Sequence, residues 1–294
     1  MRWRSAGGVP RWAQVPAITA ALLVVATLAG ASDTKPQRIA SLNLTADEIL
    51  VEIVPLQRLV AATRAADDPE SSSIVGRIPP SVPRFFRADL ERLVALRPDL
   101  VVVSEYTDAD FLRALERSGL RYHRMQGLDS MAGFRAALVA LGEAVGEPEA
   151  AERLALEYDR RLERIASRLQ GVPRPRVLYW SNPFTAGAGT AIGALIECGG
   201  GRNVGSELGI EGLVPIGAER AFAADPDVVL VAVNPDGSED QALRDHPLLS
   251  QLRAVREGQV VGLPTHLLVS LSHHAATACG ELAKRLHPDL KLEP

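Results

Sequence analysis

The chain has 294 residues, 47% of them hydrophobic and 23% charged. That composition excludes a disordered tail protein, a collagen-like fibre and a coiled-coil rod, and leaves room for two domains or one large one. A formal net charge of −4 offers no basic footprint for nucleic acid, and two cysteines exclude both a disulfide-dense mini-protein and a four-cysteine zinc site.

Arg2, Arg4 and Arg11 precede a charge-free apolar run from Ala17 to Gly30, and Ala29-Gly30-Ala31 then supplies small residues of the kind a signal peptidase reads. The run is shorter than the roughly 20 residues a bilayer crossing needs. Residues 1–31 are therefore expected to be a cleavable signal peptide, and the protein to be exported to a periplasm. The leader carries three arginines and no acid, so its removal takes the charge from −4 to −4 − 3 = −7.

Beyond the leader, short β-branched runs recur at Arg38–Leu42, Leu59–Thr63, Leu100–Ser104, Arg176–Trp180, Val228–Val233 and Gln259–Leu263. Segments with helical spacing lie between them, among them Ala46–Ile53, Leu90–Leu96 and Phe111–Ser118. Such alternation predicts an α/β fold with mainly parallel sheets, covered by helices on both faces. The middle differs. From Pro148 to Gln170 apolar residues fall at Ala151, Leu154, Ala155, Tyr158, Leu162, Ile165 and Leu169, one helical stripe without a strand. Pro148 suits a helix start, and Gly171 followed by Pro173 an end. The expected organisation is an N-terminal α/β lobe over 32–146, one long rigid connecting helix over 147–171 and a C-terminal α/β lobe over 172–294. A faint repeat supports two similar halves: Leu90–Val103 (LERLVALRPDLVVV) and Ala218–Val231 (AERAFAADPDVVLV) both run from a short helix through x-Pro-Asp into a buried strand.

The ordered set ADLERLVALRPDLVVVS, SNPFTAGAGTAIGALIECGGGRNVG and GAERAFAADPDVVLVA, running with the central helix through residues 37–288, resembles the class III substrate-binding proteins of ABC importers, the family that captures cobalamin, ferric siderophores and haem. The resemblance implies two lobes bridged by one helix, a ligand cleft between them, and delivery of a small-molecule chelate to the membrane permease subunits, which work with a cytoplasmic ATPase. It implies that Glu91 and Glu219 are lobe-surface docking residues for the permease, although both also suit an ordinary helix start. Cys198 and Cys279 resemble the bridged pair of the cobalamin-binding members, and an exported chain favours a disulfide on compartment grounds too.

Cleft residues are expected just past strand ends: Asn43, Arg64, Arg77 and Tyr106 in the first lobe, and Trp180, Phe184, Thr185 and His266 in the second. Arginines there suit carboxylates or an anionic chelate, while each of the eight also has a purely structural reading. Cobalamin-binding members line the cleft with rings at stretches that here read Asp67-Asp68-Pro69 and Leu213-Val214-Pro215. Haem binders offer a tyrosine before the LERLVALRPD helix, where this chain reads GRIPPSVPRFFRAD. The ligand expected by elimination is a ferric siderophore, with cobalamin or another corrinoid, or haem, as the alternative within the same importer class. The alternative of another class is a secreted α/β hydrolase-like enzyme. No G-x-S-x-G elbow or H-E-x-x-H motif occurs, and Ile192 stands where a dinucleotide fingerprint needs its third glycine. No catalytic residue, metal ligand or cofactor is assigned, and a monomer is expected.

Overall fold

Uninterrupted apolar runs such as Leu100–Val103 and Val228–Val233 belong in strands covered on both faces, and that is where they lie. The computed structural model describes residues 35–234 and 241–290, so the leader read at 1–31 lies outside the described residues. The first sheet is built from β1 (Ile39–Ser41), β2 (Leu59–Thr63), β3 (Arg84–Phe85), β4 (Leu100–Val103) and β5 (Tyr122–Arg124). They are all parallel, in the order β3-β2-β1-β4-β5. Its helices are α1 (Leu44–Ile53), α2 (Leu90–Leu96), α3 (Ala109–Arg117) and α4 (Met131–Ala144).

The 22-residue helix α5 (Pro148–Leu169) follows. It is not a free rod. Ala151, Ala155 and Tyr158 bury against the first core, Leu162 against both cores and Ile165 against the second, and the Tyr158 hydroxyl donates to the Met131 carbonyl at 2.9 Å.

The second half contains β6 (Arg176–Tyr179), β7 (Phe184–Ala186), α6 (Ala191–Cys198), β8 (Arg202–Asn203), α7 (Val204–Glu207), β9 (Leu213–Pro215), α8 (Ala218–Ala223) and β10 (Val228–Val233). After these come α9 (Gln241–Asp245), α10 (Arg253–Arg256), β11 (Val260–Pro264), α11 (Thr265–Leu268) and α12 (Ala275–Leu286). The parallel sheet runs β11-β10-β6-β8, and β7 and β9 form a separate antiparallel pair. The last helix returns to the first half: Ala275 and Ala276 bury in the same core as α1 and α5. Among the described residues no helix is long and apolar enough to cross a membrane.

The repeat read in the sequence is a repeat in space. Arg97 and Asp225, each just before the x-Pro-Asp proline, are the two non-glycine residues with positive φ among those described, at 47° and 39°. Each turn is bracketed in the same way. The Asp99 carboxylate accepts from the backbone N–H groups of Gln37 and Arg38 at 2.7 and 3.0 Å, and the Arg38 guanidinium donates to the Leu96 carbonyl at 2.7 Å and the Arg97 carbonyl at 3.1 Å. Asp227 accepts from Arg176 N–H at 2.8 Å, and the Arg176 guanidinium donates to the Ala224 and Asp225 carbonyls at 2.8 and 2.9 Å. One arginine and one aspartate thus fasten the helix end and the amino end of the first strand in both halves.

Candidate functional site

Open parallel sheets place ligands at the carboxyl ends of strands where the strand order reverses. In the first sheet the chain builds outward from β1 to β2 and β3 and then crosses to β4; in the second it builds from β6 to β8 and then crosses to β10 and β11. The switch points therefore lie beside Leu42 and Ser104 in one half and beside Trp180 and Asn234 in the other.

At the first switch point lies a groove of about 780 Å³, lined by Leu42 and Leu44 after β1, Thr63, Arg64 and Asp67 after β2, Phe85 to Ala88 after β3, Thr107 after β4 and Phe111 of α3. That volume suits a large small-molecule ligand. Side chains on opposite sides of a strand alternate, so the Phe85-Phe86 doublet sends one ring inward and one outward. Phe85 packs in the core with the Arg92 guanidinium 4.4 Å from its ring centre. Phe86 is 84% exposed, and the Arg64 guanidinium sits 6.0 Å from its ring centre. Arg84 is spent structurally: it holds the Asp67 carboxylate at 2.8 and 3.0 Å and the Val82 and Ile78 carbonyls. Among the described residues no carboxylate pairs with Arg64 or Arg87, so two guanidinium groups and an outward ring meet on one ledge.

The eight residues expected at the cleft separate into three groups. Arg64 lines the groove, and Tyr106, 81% exposed, is the chain neighbour of the lining residue Thr107. Asn43 falls between the lining residues Leu42 and Leu44, with its side chain accepting from Ala46 N–H at 3.0 Å to cap α1. Phe184 is partly exposed, opposite Pro215 across the β7–β9 ladder, and His266 is half-buried in α11, with its pKa lowered by burial. The remaining three are occupied elsewhere. Arg77 is ion-paired with Glu52. Trp180 is 2% exposed within the second half's core. Thr185 is fully buried, its hydroxyl donating to the Tyr179 carbonyl at 2.7 Å. Trp180 follows β6 directly and Thr185 is the middle residue of β7, and both are enclosed in the packed interior, so they are core rather than groove residues.

Phe86 and Arg87 are the groove residues that strand-end counting misses, because β3 is only two residues long. The doublet Phe85-Phe86 was the available signal. Phe86 shares its groove with Asp67, Asp68 and Pro69, and Phe184 faces Pro215. A ring therefore stands beside each of the two non-aromatic stretches.

Two buried acids, Asp47 and Glu48, are consecutive on α1. Asp47 accepts from the Thr63 N–H at 2.9 Å and the Thr63 hydroxyl at 2.5 Å, and burial pushes its pKa from 3.8 up to about 7. Glu91 and Glu219 are both exposed, in the first turns of α2 and α8. Cys198 and Cys279 form a disulfide with Cα atoms 5.7 Å apart, joining α6 to α12.

Comparison with known proteins bears on the family and the fold. The periplasmic binding protein family model matches residues 39–267. A cobalamin-binding protein of Halobacterium salinarum is 24% identical over 265 residues, covering 87% of this chain and 70% of that protein. Among solved structures, a periplasmic heme-binding protein from Pseudomonas aeruginosa superposes with a TM-score of 0.72 at 27% identity, covering 88% of this chain and 95% of the other. Helicobacter pylori CeuE with Ni(II) bound gives 0.74 at 20% identity, covering 87% and 85%, a likeness of fold. With the match running from β1 to α11, the chain belongs to the periplasmic binding protein family, whose members bind a cargo rather than transform it.

Proposed function

We propose that this protein is the substrate-binding component of an ABC importer and that its cargo is a bulky metal chelate with a flat face and anionic arms, of the corrinoid or haem type. In this reading residues 1–31 direct export. The lobes span 32–146 and 172–294 about the helix of 147–171, and the monomer hands its cargo to the permease. The observation that carries the reading is the ledge formed by Phe86, Arg64 and Arg87. An outward ring stacks on an extended π-system, and guanidinium groups beside it accept carboxylate or phosphate arms. The case against corrinoids rests on the missing rings at 67–69 and 213–215, and Phe86 and Phe184 stand beside those stretches. The case against haem rests on the absence of a tyrosine from GRIPPSVPRFFRAD, which makes a corrinoid the better supported of the two. The curated relative that binds cobalamin and the neighbour that binds heme support the same class.

A ferric siderophore is the second reading, favoured by the two unpaired arginines, which suit an anionic chelate without a flat face. Titration with cyanocobalamin, haemin and a ferric hydroxamate separates the two. After removal of the leader Trp180 is the sole tryptophan, and its burial means that quenching will report energy transfer to the coloured cargo rather than contact. F86A is expected to weaken a corrinoid or haem about tenfold or more, the loss of one well-stacked ring. Under the siderophore reading R64A is the damaging change and F86A is neutral. No binding of any of the three removes the cargo assignment.

Glu91 and Glu219 are proposed as the permease contacts, one per lobe, acting mainly on orientation and encounter rate as exposed charges do. A double E91R/E219R variant is expected to bind cargo normally and to support no transport; full transport would remove the docking role.

A further inference from the structure

Asp47 and Glu48 are consecutive on α1 and both fully enclosed, at 0% and 1% exposure. They point to different parts of the molecule. Asp47 holds Thr63, the residue before Arg64 on the ledge. Glu48 reaches into the other half. Its Oε2 accepts from the Ser272 hydroxyl at 2.6 Å and the Ser270 hydroxyl at 3.4 Å, and its Oε1 accepts from Ser73 N–H at 3.1 Å. Ser270 and Ser272 are themselves buried and belong to the connection between α11 and α12, just past the carboxyl end of β11. Among the described residues no cation forms an ion pair with Glu48, so hydroxyls and one backbone N–H are its whole support. An acid kept in such a place is a costly way to hold two elements together, and apolar contacts between Leu271, Ala275 and the first core already surround it.

We infer that Glu48 is a positioning residue for cargo binding. It fastens the Ser270–Ser272 connection of the second half to α1 and so sets the separation of the two sheets' carboxyl ends, while Asp47 ties the same helix to the Arg64 ledge. The affinity arm of the inference rests on the binding reading above; the geometric arm does not. Burial raises the pKa of Glu48, with the Ser272, Ser73 and Ser270 hydrogen bonds opposing it. The charged groups around the seam are Glu52, one turn further along α1, its partner Arg77, and His273, whose Nε2 lies 3.9 Å from Glu52. His274 follows, its N–H donating to the Ser272 hydroxyl at 3.3 Å.

The test compares E48A with E48Q. The amide of E48Q keeps an acceptor for Ser73 N–H and presents a donor to serine hydroxyls, which also accept. Two readouts are taken on the leader-free protein. One is affinity for haemin, cyanocobalamin and a ferric hydroxamate across a pH series. The other is the distance distribution between spin labels at R117C and Q259C, exposed positions in the two halves. E48A is expected to broaden the distribution and to weaken whichever cargo binds by about tenfold, the scale of a lost charge-assisted hydrogen-bond set. E48Q is expected to restore both and to flatten the pH dependence. Wild-type affinity and an unchanged distribution in E48A would overturn the inference. A broadened distribution with no member of the panel bound by the wild type would leave the tie standing and remove the cargo reading instead. Should E48A fail to fold by circular dichroism, the S270A/S272A double variant, which removes only the donors, carries the same two readouts.

Discussion

Asp47 makes the pH dependence of stability a sharp test of how the groove is supported. Burial raises its pKa from 3.8 to about 7, with the Thr63 hydrogen bonds pulling the other way. The native state therefore holds a proton that the unfolded state releases. By linkage its contribution is most favourable below the unfolded value and is lost as the pH climbs from about 4 to about 7. A shift of about three units at about 1.4 kcal/mol per unit amounts to roughly 4 kcal/mol at and above neutrality. D47N removes the titration while its carbonyl oxygen still accepts from the Thr63 N–H and hydroxyl. Urea unfolding of wild type and D47N, followed by far-ultraviolet circular dichroism between about pH 4 and about pH 8, isolates this one group. Any constant offset from the amide drops out of the comparison. The expected result is that D47N gains on the wild type steadily with pH, by roughly 3–4 kcal/mol across the series. Parallel curves would refute the reasoning, because they would mean that Asp47 ionises in the native state much as it does in the unfolded chain.

His273 and His274 act in the opposite sense. Burial lowers their pKa values to about 3 and about 4. Native stability is then intact above the ordinary histidine range and is lost as the pH falls from about 6.5 toward those values, so an H273Q/H274Q variant is expected to show a flatter acid limb in melting temperature against pH. Opening the Cys198–Cys279 bridge, which closes 81 residues of chain, is expected to cost about 4 kcal/mol in the chain-entropy model, measured by denaturing C198A/C279A beside the oxidised wild type. Gly142 lets α4 lie on α5: a Cβ built there falls 2.1 Å from the Ala151 Cβ. G142A is therefore expected to lose about 1–3 kcal/mol through overpacking, and a wild-type midpoint would show that the two helices separate freely.

The elements that carry the architecture were legible because their signals are local. The long helix was read at Pro148–Gln170 and ends at Leu169. The runs at Leu59–Thr63 and Val228–Val233 are strands with those same bounds, and the x-Pro-Asp repeat marks two equivalent turns. What could not be read was short or distant. β3, β7, β8 and β9 have two or three residues each, too few for a period to show, and Phe86 was hidden with β3. Trp180 is core because position past a strand end fixes depth along the sheet but not the side from which a side chain leaves it, and Thr185 is core because it sits inside β7, which is too short to show a period. Nothing in the sequence singles out Asp47 and Glu48. Their partners lie 16 residues away for Thr63 and 224 for Ser272, and no spacing rule spans such gaps.

The two halves are alike at one end and unlike at the other. At the amino ends of both sheets an arginine and an aspartate make matching brackets, Arg38 with Asp99 and Arg176 with Asp227, fixing the turns that lead into β4 and β10. A duplicated device of backbone-directed, charge-assisted bonds rigidifies whatever is built on it. At the carboxyl ends the first half carries Arg64, Phe86 and Arg87 over an open groove, while the second carries the β7–β9 pair with Phe184 at its edge. Repetition at the base keeps α2 and α8, with Glu91 and Glu219 in their first turns, in equivalent poses on the two halves. Divergence at the rim leaves the carboxyl ends of the two sheets chemically different. Both properties follow under the proposed function, in which the shared geometry serves a roughly symmetric partner and the divergent chemistry serves the ligand.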